Sequence, residues 1–99
     1  MVEVRDVPDS ERFEILVGGS VAGFLQYHRR PPDTFVAIHT EIAREYAGQG
    51  LAGRLVQHVL DQARAEGLRV KPECPFVAAY VDKHPEYHDL VLGHTAGGA

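Results

Sequence analysis

The sequence predicts an α+β domain with a mixed sheet, in which antiparallel strands come first and a parallel strand–helix–strand unit follows. Apolar residues alternate over 12–17 and again over 21–28, on either side of a glycine pair that suits a tight hairpin. Apolar residues then recur at helical spacing over 51–66, between strand-like stretches at 35–42 and 68–70. Because a helix joins these last two strands, they are expected to be parallel, with a right-handed crossover.

Composition and charge are typical of one small domain. The chain has 99 residues, 44% of them hydrophobic and 24% charged, enough for one core but too few for a second domain. The formal net charge of −4 argues against sequence-independent nucleic-acid binding, which needs clustered lysine and arginine. The sequence has no apolar run long enough to span a membrane and no signal-peptide pattern, and its single cysteine suits a reducing compartment. We therefore expect a cytoplasmic protein that does not bind membranes, as a monomer or weak homodimer.

The sequence indicates the N-terminal strand weakly and the strand at 35–42 clearly. Residues 1–10 contain valines that alternate loosely with charges, which is compatible with a short edge strand. The stretch 35–42 has two distinct faces. One is aliphatic and is expected to pack against the following helix; it consists of Val36, Ile38 and Ile42. The other ends in two ionisable groups; it consists of Phe35, Ala37, His39 and Glu41.

The second half of the chain is organised around the helix at 51–66. Its apolar side consists of Leu51, Leu55, Val56, Val59, Leu60 and Ala63. Gly67 is a natural end for this helix. Pro72 cannot donate to a strand ladder, so pairing between the two parallel strands is expected to fail near 71–74.

The C-terminal part is predicted to be helical and then irregular. Pro75 starts a second short helix at 76–83, and a last turn or short helix begins at 84–87. Residues 93–99 are rich in glycine and are expected to form a disordered tail after a domain of residues 1–92.

The strand-like stretch at 35–42 is joined to the helix by residues 46–53, Tyr-Ala-Gly-Gln-Gly-Leu-Ala-Gly. The first amides of a helix have no intrahelical acceptor, and glycines let a ligand approach them closely. The sequence therefore predicts an anion site at this turn. A nucleotide-binding phosphate loop is disfavoured because no Lys-Ser/Thr pair follows the glycines. Where the parallel strands part, backbone donors and acceptors are left for a ligand.

The order of elements and several motifs resemble the GNAT superfamily of acyl-CoA-dependent N-acyltransferases. The run Gly48-Gln49-Gly50-Leu51-Ala52 is similar to its pyrophosphate-binding signature, although Ala47 stands where that signature has Gln or Arg. Further motifs resemble a small single-domain branch: His39-Thr40-Glu41, Cys74-Pro75-Phe76 and His84-Pro85-Glu86-Tyr87. The resemblance covers about 12–90.

The resemblance implies transfer of an acetyl group from acetyl-CoA to an amine of a small molecule or protein. It implies that the CoA pyrophosphate binds the glycine turn. It also implies that the pantetheine arm pairs with the backbone near the end of the strand at 35–42. The expected cofactor-binding residues are Ile42, Ala43, Gly48, Gln49, Gly50, Leu51, Ala52 and Gly53. The alternative is a module that binds CoA or acyl-CoA without turnover.

Two residues are the candidates for catalysis, His39 and Cys74. Imidazole exchanges protons near neutral pH, and His39 lies near the end of the strand that borders the expected cleft; the resemblance also points to this histidine. Cys74, on the neighbouring parallel strand, would face His39 and either take the acetyl group or protonate the leaving thiolate. The structural alternatives are an inert, hydrogen-bonded histidine and a cysteine that acts as a small buried hydrophobe.

Other polar residues are secondary candidates. Glu41 would orient His39 or contact a cationic acceptor, and Tyr80 would be the proton donor that many GNAT enzymes place on this helix; a solvated charge and a core aromatic are the alternatives. His84 and His88 are four residues apart, but Pro85 follows His84 directly and no Cys/His group has zinc spacing. No metal site is therefore predicted.

Overall fold

The computed structural model of the protein describes residues 1–92. It contains one five-stranded sheet in the order β1-β2-β3-β4-β5. The strands are β1 (Val2–Val7), β2 (Arg12–Val17), β3 (Ser20–Arg30), β4 (Thr34–Ile42) and β5 (Arg69–Pro72). The first four pair antiparallel, and β5 pairs parallel to β4, so the predicted mixed α+β fold is confirmed. The predicted tail at 93–99 lies outside the described residues.

The helices follow the antiparallel strands and pack on one face of the sheet. They are α1 (Leu51–Ala65) and α2 (Pro75–Lys83), with short 3-10 helices at Pro8–Ser10, Arg44–Tyr46 and Pro85–Leu90. All six predicted apolar residues of α1 are buried. They share one core with β2, β3, β4 and α2. The predicted packing face of α1 is therefore confirmed.

The register between β3 and β4 shifts at one residue, which changes the side-chain alternation of β4. Gln26 pairs with His39 and Tyr27 pairs with Ala37, so Ile38 has no partner on β3. An extra residue of this kind is a β-bulge, which bends its strand and resets which side chains face each way.

The predicted faces of the stretch 35–42 are therefore wrong on the N-terminal side of the bulge. Phe35 and Ala37 belong to the core beneath the helices, whereas they were expected on the face of His39. Beyond the bulge, Thr40 takes the helix side, since it pairs with the core residue Leu25. His39 alternates with Thr40 and points away from the helices, as predicted.

The opposite side of the sheet carries no helix in the described part of the chain, and we call this surface the open face. It includes Arg5, Arg12, Glu14, Phe24, Gln26, His39 and Glu41. Glu14 is only 4% exposed. Its carboxylate accepts hydrogen bonds from Arg5 Nη2 at 2.9 Å and Arg12 Nη2 at 2.7 Å. Two guanidinium groups thus stabilise one buried charge on the side of the sheet away from the helices.

We predict that Gly23→Ala destabilises the fold, because β3 and β4 approach too closely at this position for a side chain. A Cβ atom there would lie 2.5 Å from Ile42 Cδ1 and even closer to the backbone oxygen of Glu41. The free energy of unfolding should fall by about 2 kcal/mol or more, measured by urea denaturation. Gly53→Ala is the control, since its Cβ would lie 3.8 Å from Tyr80 Cε2, in ordinary contact. Equal losses in the two variants would contradict the prediction.

We also predict that Glu14 makes stability depend on acidic pH. The hydrogen bond from Arg5, together with Arg12, lowers the pKa of Glu14 below its usual 4.5, although burial acts in the other direction. A carboxyl group whose pKa is lowered in the folded state contributes stability above its unfolded pKa and loses it as the pH falls through the folded value. Glu14→Gln should therefore unfold more easily at pH 7, by about 2 kcal/mol.

Urea denaturation at pH 7 and pH 3 measures this effect. The difference in stability between wild type and Glu14→Gln should shrink at the lower pH, because pH 3 lies below the usual pKa of 4.5 and the unfolded chain then binds a proton at Glu14 that the folded chain binds less readily. A difference that stays constant between the two pH values would show that the charge of Glu14 does not stabilise the fold.

Candidate active site

The N-terminus of α1 leaves three backbone amides without a protein acceptor. Gly50 is the N-cap residue and has a φ of 74°, and Gly48 has a φ of 80°, a left-handed conformation that glycine adopts without strain. The first backbone bond of the helix runs from Arg54 N to Gly50 O, at 3.2 Å, and no side chain caps the helix. Within the described residues, the N–H groups of 51–53 therefore remain free to bind an anion.

The strands β4 and β5 separate beside this turn. Their register runs from Thr34 opposite Arg69 to Ala37 opposite Pro72. Cys74 N then donates to Ala37 O at 2.9 Å, and no further pair joins the two strands in the described part of the chain. The predicted loss of pairing near 71–74 is confirmed, although β5 itself extends to Pro72 instead of ending at residue 70.

The separated part of β4 presents backbone groups at its free edge. Ala43 N donates to Ala22 O at 2.8 Å, so this residue directs its backbone toward β3. In an antiparallel ladder, alternate residues direct their backbone groups to opposite sides. Thr40 and Ile42 therefore direct theirs toward the gap beside β5, where a ligand strand has donors and acceptors to pair with.

Cys74 lies at the N-cap of α2, with 2% of its surface exposed. Its Sγ is 3.4 Å from Thr40 Oγ1, and it belongs to the core beneath the helices. The side chain in contact with the thiol is thus Thr40. The strand pattern did not predict this contact, because the bulge cannot be recognised from the sequence. His39, which was expected to face Cys74, lies on the other side of the sheet.

His39 lies on the open face with about half of its side chain exposed. Its Nε2 is 3.2 Å from Glu41 Oε1, and its ring centre is 6.1 Å from that of Phe24. If Nε2 carries the proton and donates to Glu41, Nδ1 has a free lone pair. The arrangement is a carboxylate–histidine pair beside an aromatic ring, which fits a group that accepts a proton from a bound molecule.

Tyr80 lies against the first turn of α1. A Cβ atom on Gly53 would be 3.8 Å from its ring, and the ring stacks on that of His84 at 3.8 Å between centres. Burial raises the pKa of Tyr80, and the charge of Glu86 adds to this effect. The phenol therefore stays protonated at neutral pH and is available as a proton donor close to the free amides.

The two histidines at the end of α2 bind backbone carbonyls. His84 Nδ1 lies 2.7 Å from Tyr80 O, and His88 Nε2 lies 2.9 Å from Val81 O. Within residues 1–92, no group of three or more His, Cys, Asp or Glu side chains is placed to hold a metal ion. None of the helices in this part of the chain is both long and apolar enough to cross a membrane.

Among the cavities that residues 1–92 line, two lie beside the sheet. One of about 370 Å³ lies between β1 and α1, and it is lined by Val2, Glu3, Val4, Arg54, Gln57, His58 and Asp61. It contains none of the residues predicted for catalysis or cofactor binding. The other, of about 130 Å³, lies on the open face near the end of β4; it is lined by Val21, Ala22, Gly23, Phe24, Glu41 and Ala43.

Comparison with solved structures shows the same fold. A GCN5-like protein of Staphylococcus aureus matches with a TM-score of 0.72 at 23% identity, over 96% of this chain and 92% of that one. A ribosomal-protein-alanine N-acetyltransferase of Brucella melitensis matches at 0.58 and 18% identity, over 83% of this chain and 63% of the enzyme. A diaminobutyrate acetyltransferase of Paenibacillus lautus, in complex with L-2,4-diaminobutyric acid and coenzyme A, matches at 0.56 and 20% identity, over 85% and 53% of the two chains.

Sequence comparison identifies the family. No individually curated protein sequence matches the chain. That the chain belongs to a small single-domain branch of the family stays a prediction, because the family model that matches is the one for the GCN5-related N-acetyl-transferases. The family model for the GCN5-related N-acetyl-transferases matches residues 12–90, which is most of the chain and includes β2 to β5, both helices and the glycine turn. The protein belongs to the GCN5-related N-acetyltransferase (GNAT) family.

Proposed function

We propose that the protein transfers an acetyl group from acetyl-CoA to an amine. The proposal depends on one observation: two features that suit parts of acetyl-CoA lie beside the same gap in the sheet. The free amides at 51–53 suit a diphosphate, and the unpaired edge of β4 suits an extended amide-containing arm. Membership of a transferase family supports acyl transfer over CoA binding alone.

The proposed cofactor-binding residues fit this ligand chemically. Gly48 and Gly50 have open space where a Cβ would be, so an anion can reach the backbone between them. Gln49 lies between these glycines, and the amides of 51–53 would donate to the diphosphate. Ile42 presents backbone groups to the gap, and Ala43 follows it. The coenzyme A in the Paenibacillus lautus complex supports the same ligand here.

The proposed acyl step uses Cys74 as nucleophile. The thiol loses its proton as its sulfur forms a bond to the acetyl carbon, the thioester C–S bond of acetyl-CoA breaks, and the CoA sulfur takes up a proton. An acceptor amine then attacks the acetylated Cys74, which forms the amide and restores the thiol. Because the thiol is buried against Thr40, the acyl group must enter between β4 and β5. The alternative role for Cys74 is to protonate the CoA thiolate while the amine attacks directly.

The proposed proton transfers involve His39 and Tyr80. An amine attacks only when it is neutral, so its ammonium form must first lose a proton, and His39 Nδ1 is the proposed acceptor. Because His39 and Cys74 lie on opposite sides of the sheet, this role belongs to direct attack of the amine on acetyl-CoA in the gap between β4 and β5. Tyr80 is protonated and lies beside the first turn of α1. It is the proposed donor to the CoA sulfur as the thioester C–S bond breaks.

Binding of CoA at the helix N-terminus predicts a loss of affinity when one amide is removed. Ala52→Pro removes the N–H of a first-turn residue that has no intrahelical acceptor, and proline is tolerated in the first turn of a helix. Isothermal titration should show CoA affinity about tenfold lower, since a hydrogen bond to a charged group is lost.

Ala52→Val is the matched control, because it adds a similar volume and keeps the amide. Its CoA affinity should stay near that of the wild type, and thermal melts of both variants should show folded protein. Equal affinities in Ala52→Pro and the wild type would remove the helix N-terminus from the proposed site.

Intact-mass analysis after incubation with acetyl-CoA tests the chemistry. We expect one added acetyl group on the wild type and none on Cys74→Ser.

His39→Ala should lower turnover about a hundredfold with little change in CoA affinity. His28→Ala is the control, because His28 Nδ1 also lies 3.2 Å from a glutamate, Glu11, but lies outside the proposed site. No adduct would favour direct transfer, and unchanged turnover in both Cys74→Ser and His39→Ala would reject the catalytic assignment.

A further inference from the structure

The outer edge of β1 has no partner strand in the described part of the chain. At the other end of the sheet, the edge of β5 is partly covered, because Leu92 N donates to Val70 O at 2.8 Å and Val91 forms a parallel bridge with Val70. The strand β1 pairs with β2 in a continuous register and contains no lysine or proline. It therefore lacks the lysines, prolines and bulges that commonly keep an edge strand from pairing with another chain.

Alternate residues of β1 direct their backbone groups to this outer edge. Met1 O accepts a hydrogen bond from Gly18 N at 2.9 Å, so the odd-numbered residues pair with β2. The even-numbered residues direct their N–H and C=O groups outward; they are Val2, Val4 and Asp6. Another strand can pair with these three residues without disturbing the ladder between β1 and β2.

The two side chains between these positions carry opposite charges. Glu3 and Arg5 are exposed and alternate with the outward-facing residues, so both stand on the open face. Arg5 binds Glu14 through Nε at 3.1 Å and Nη2 at 2.9 Å, which leaves its Nη1 available. The carboxylate of Glu3 forms no hydrogen bond or ion pair within residues 1–92. A strand with an arginine opposite Glu3 and a glutamate opposite Arg5 would match both charges.

We propose that β1 pairs with β1 of a second copy of this chain, antiparallel, about a twofold axis through Val4. Val4 then faces Val4 of the second copy, and Val2 faces Asp6. All outward backbone groups are paired in this register, which forms about six hydrogen bonds. Because the contact is symmetric, Glu3 faces Arg5 at two equivalent places.

The charges select this register over its neighbours. A shift by two residues in either direction leaves one outward-facing residue of each copy without a partner. One shift places Glu3 opposite Glu3 of the second copy, and the other places Arg5 opposite Arg5. Like charges directly opposite each other destabilise a pair of strands, so only the register centred on Val4 combines complete pairing with matched charges.

The apolar side of β1 adds to the contact. Val2 and Val4 pack against the core but stay partly exposed, and they line the cavity of about 370 Å³ beside α1. The twofold axis brings the two Val4 side chains together on the helix side, which removes apolar surface from water. An interface one strand wide is much smaller than that of a stable complex, so we expect the dimer to dissociate on dilution. Three strands lie between β1 and the gap beside β5, which stays open in both copies.

Sedimentation equilibrium of the full chain tests the dimer, for which we expect a reversible monomer–dimer equilibrium. Glu3→Lys should raise the dimer Kd at least about tenfold, because symmetry replaces two attractive pairs with two repulsive ones. Glu45→Lys is the matched control, since Glu45 is also exposed but lies in the 3-10 helix at Arg44–Tyr46; its Kd should equal that of the wild type. A wild type that stays monomeric up to about 1 mM, assemblies larger than a dimer, or equal effects of the two variants would overturn the inference.

Disulfide cross-linking tests the register, in a Cys74→Ser background so that each copy has one thiol. Val4→Cys places the two thiols at the twofold axis, where facing Cα atoms lie about 5.5 Å apart, within the range of a disulfide. Val2→Cys is the matched control, a partly buried valine on the same side of β1, with Cα atoms roughly 14 Å apart in this register. A covalent dimer of Val4→Cys alone supports the inference, and any other pattern overturns it.

Discussion

The architecture depends on one unpaired residue in the middle of the sheet. Ile38 has no partner on β3, and the pairing of β4 with β5 ends at the residue before it. The bulge lets β4 continue its ladder with β3 while it bends away from β5. It also brings Thr40 to the helix side and leaves His39 and Glu41 on the open face. The gap, the buried thiol contact and the exposed histidine all follow from this single shift.

The features that the sequence predicted well are local. The apolar side of α1 follows from a period that any one helix must satisfy, and all six residues are buried. The glycine turn was also recognisable, because Gly48 and Gly50 adopt positive φ values that few other residues tolerate. Pro72 ends β5 because it has no N–H to donate. In each case the physical cause lies within a few residues of its effect.

The features that the sequence could not show depend on the partner strand. Nothing in the chemistry of Ile38 marks it as a bulge, so the alternation of β4 was continued through it and Phe35 and Ala37 were placed on the wrong face. The contact between Thr40 and Cys74 joins residues 34 positions apart. The two arginines that surround Glu14 come from β1 and β2 and become neighbours only when the sheet forms. Register is a property of a pair of strands and is set by non-local packing.

The free edge of β4 has a consequence for how two molecules would meet at it. Backbone groups lie in the plane of a sheet, whereas side chains stand perpendicular to it. A ligand that pairs with Thr40 and Ile42 would therefore lie in that plane, as a sixth strand segment inserted between β4 and β5. A molecule that contacts His39 and Glu41 would approach at a right angle, from the uncovered side. Donor and acceptor would thus reach one strand along two independent paths, and neither would need to leave before the other arrives.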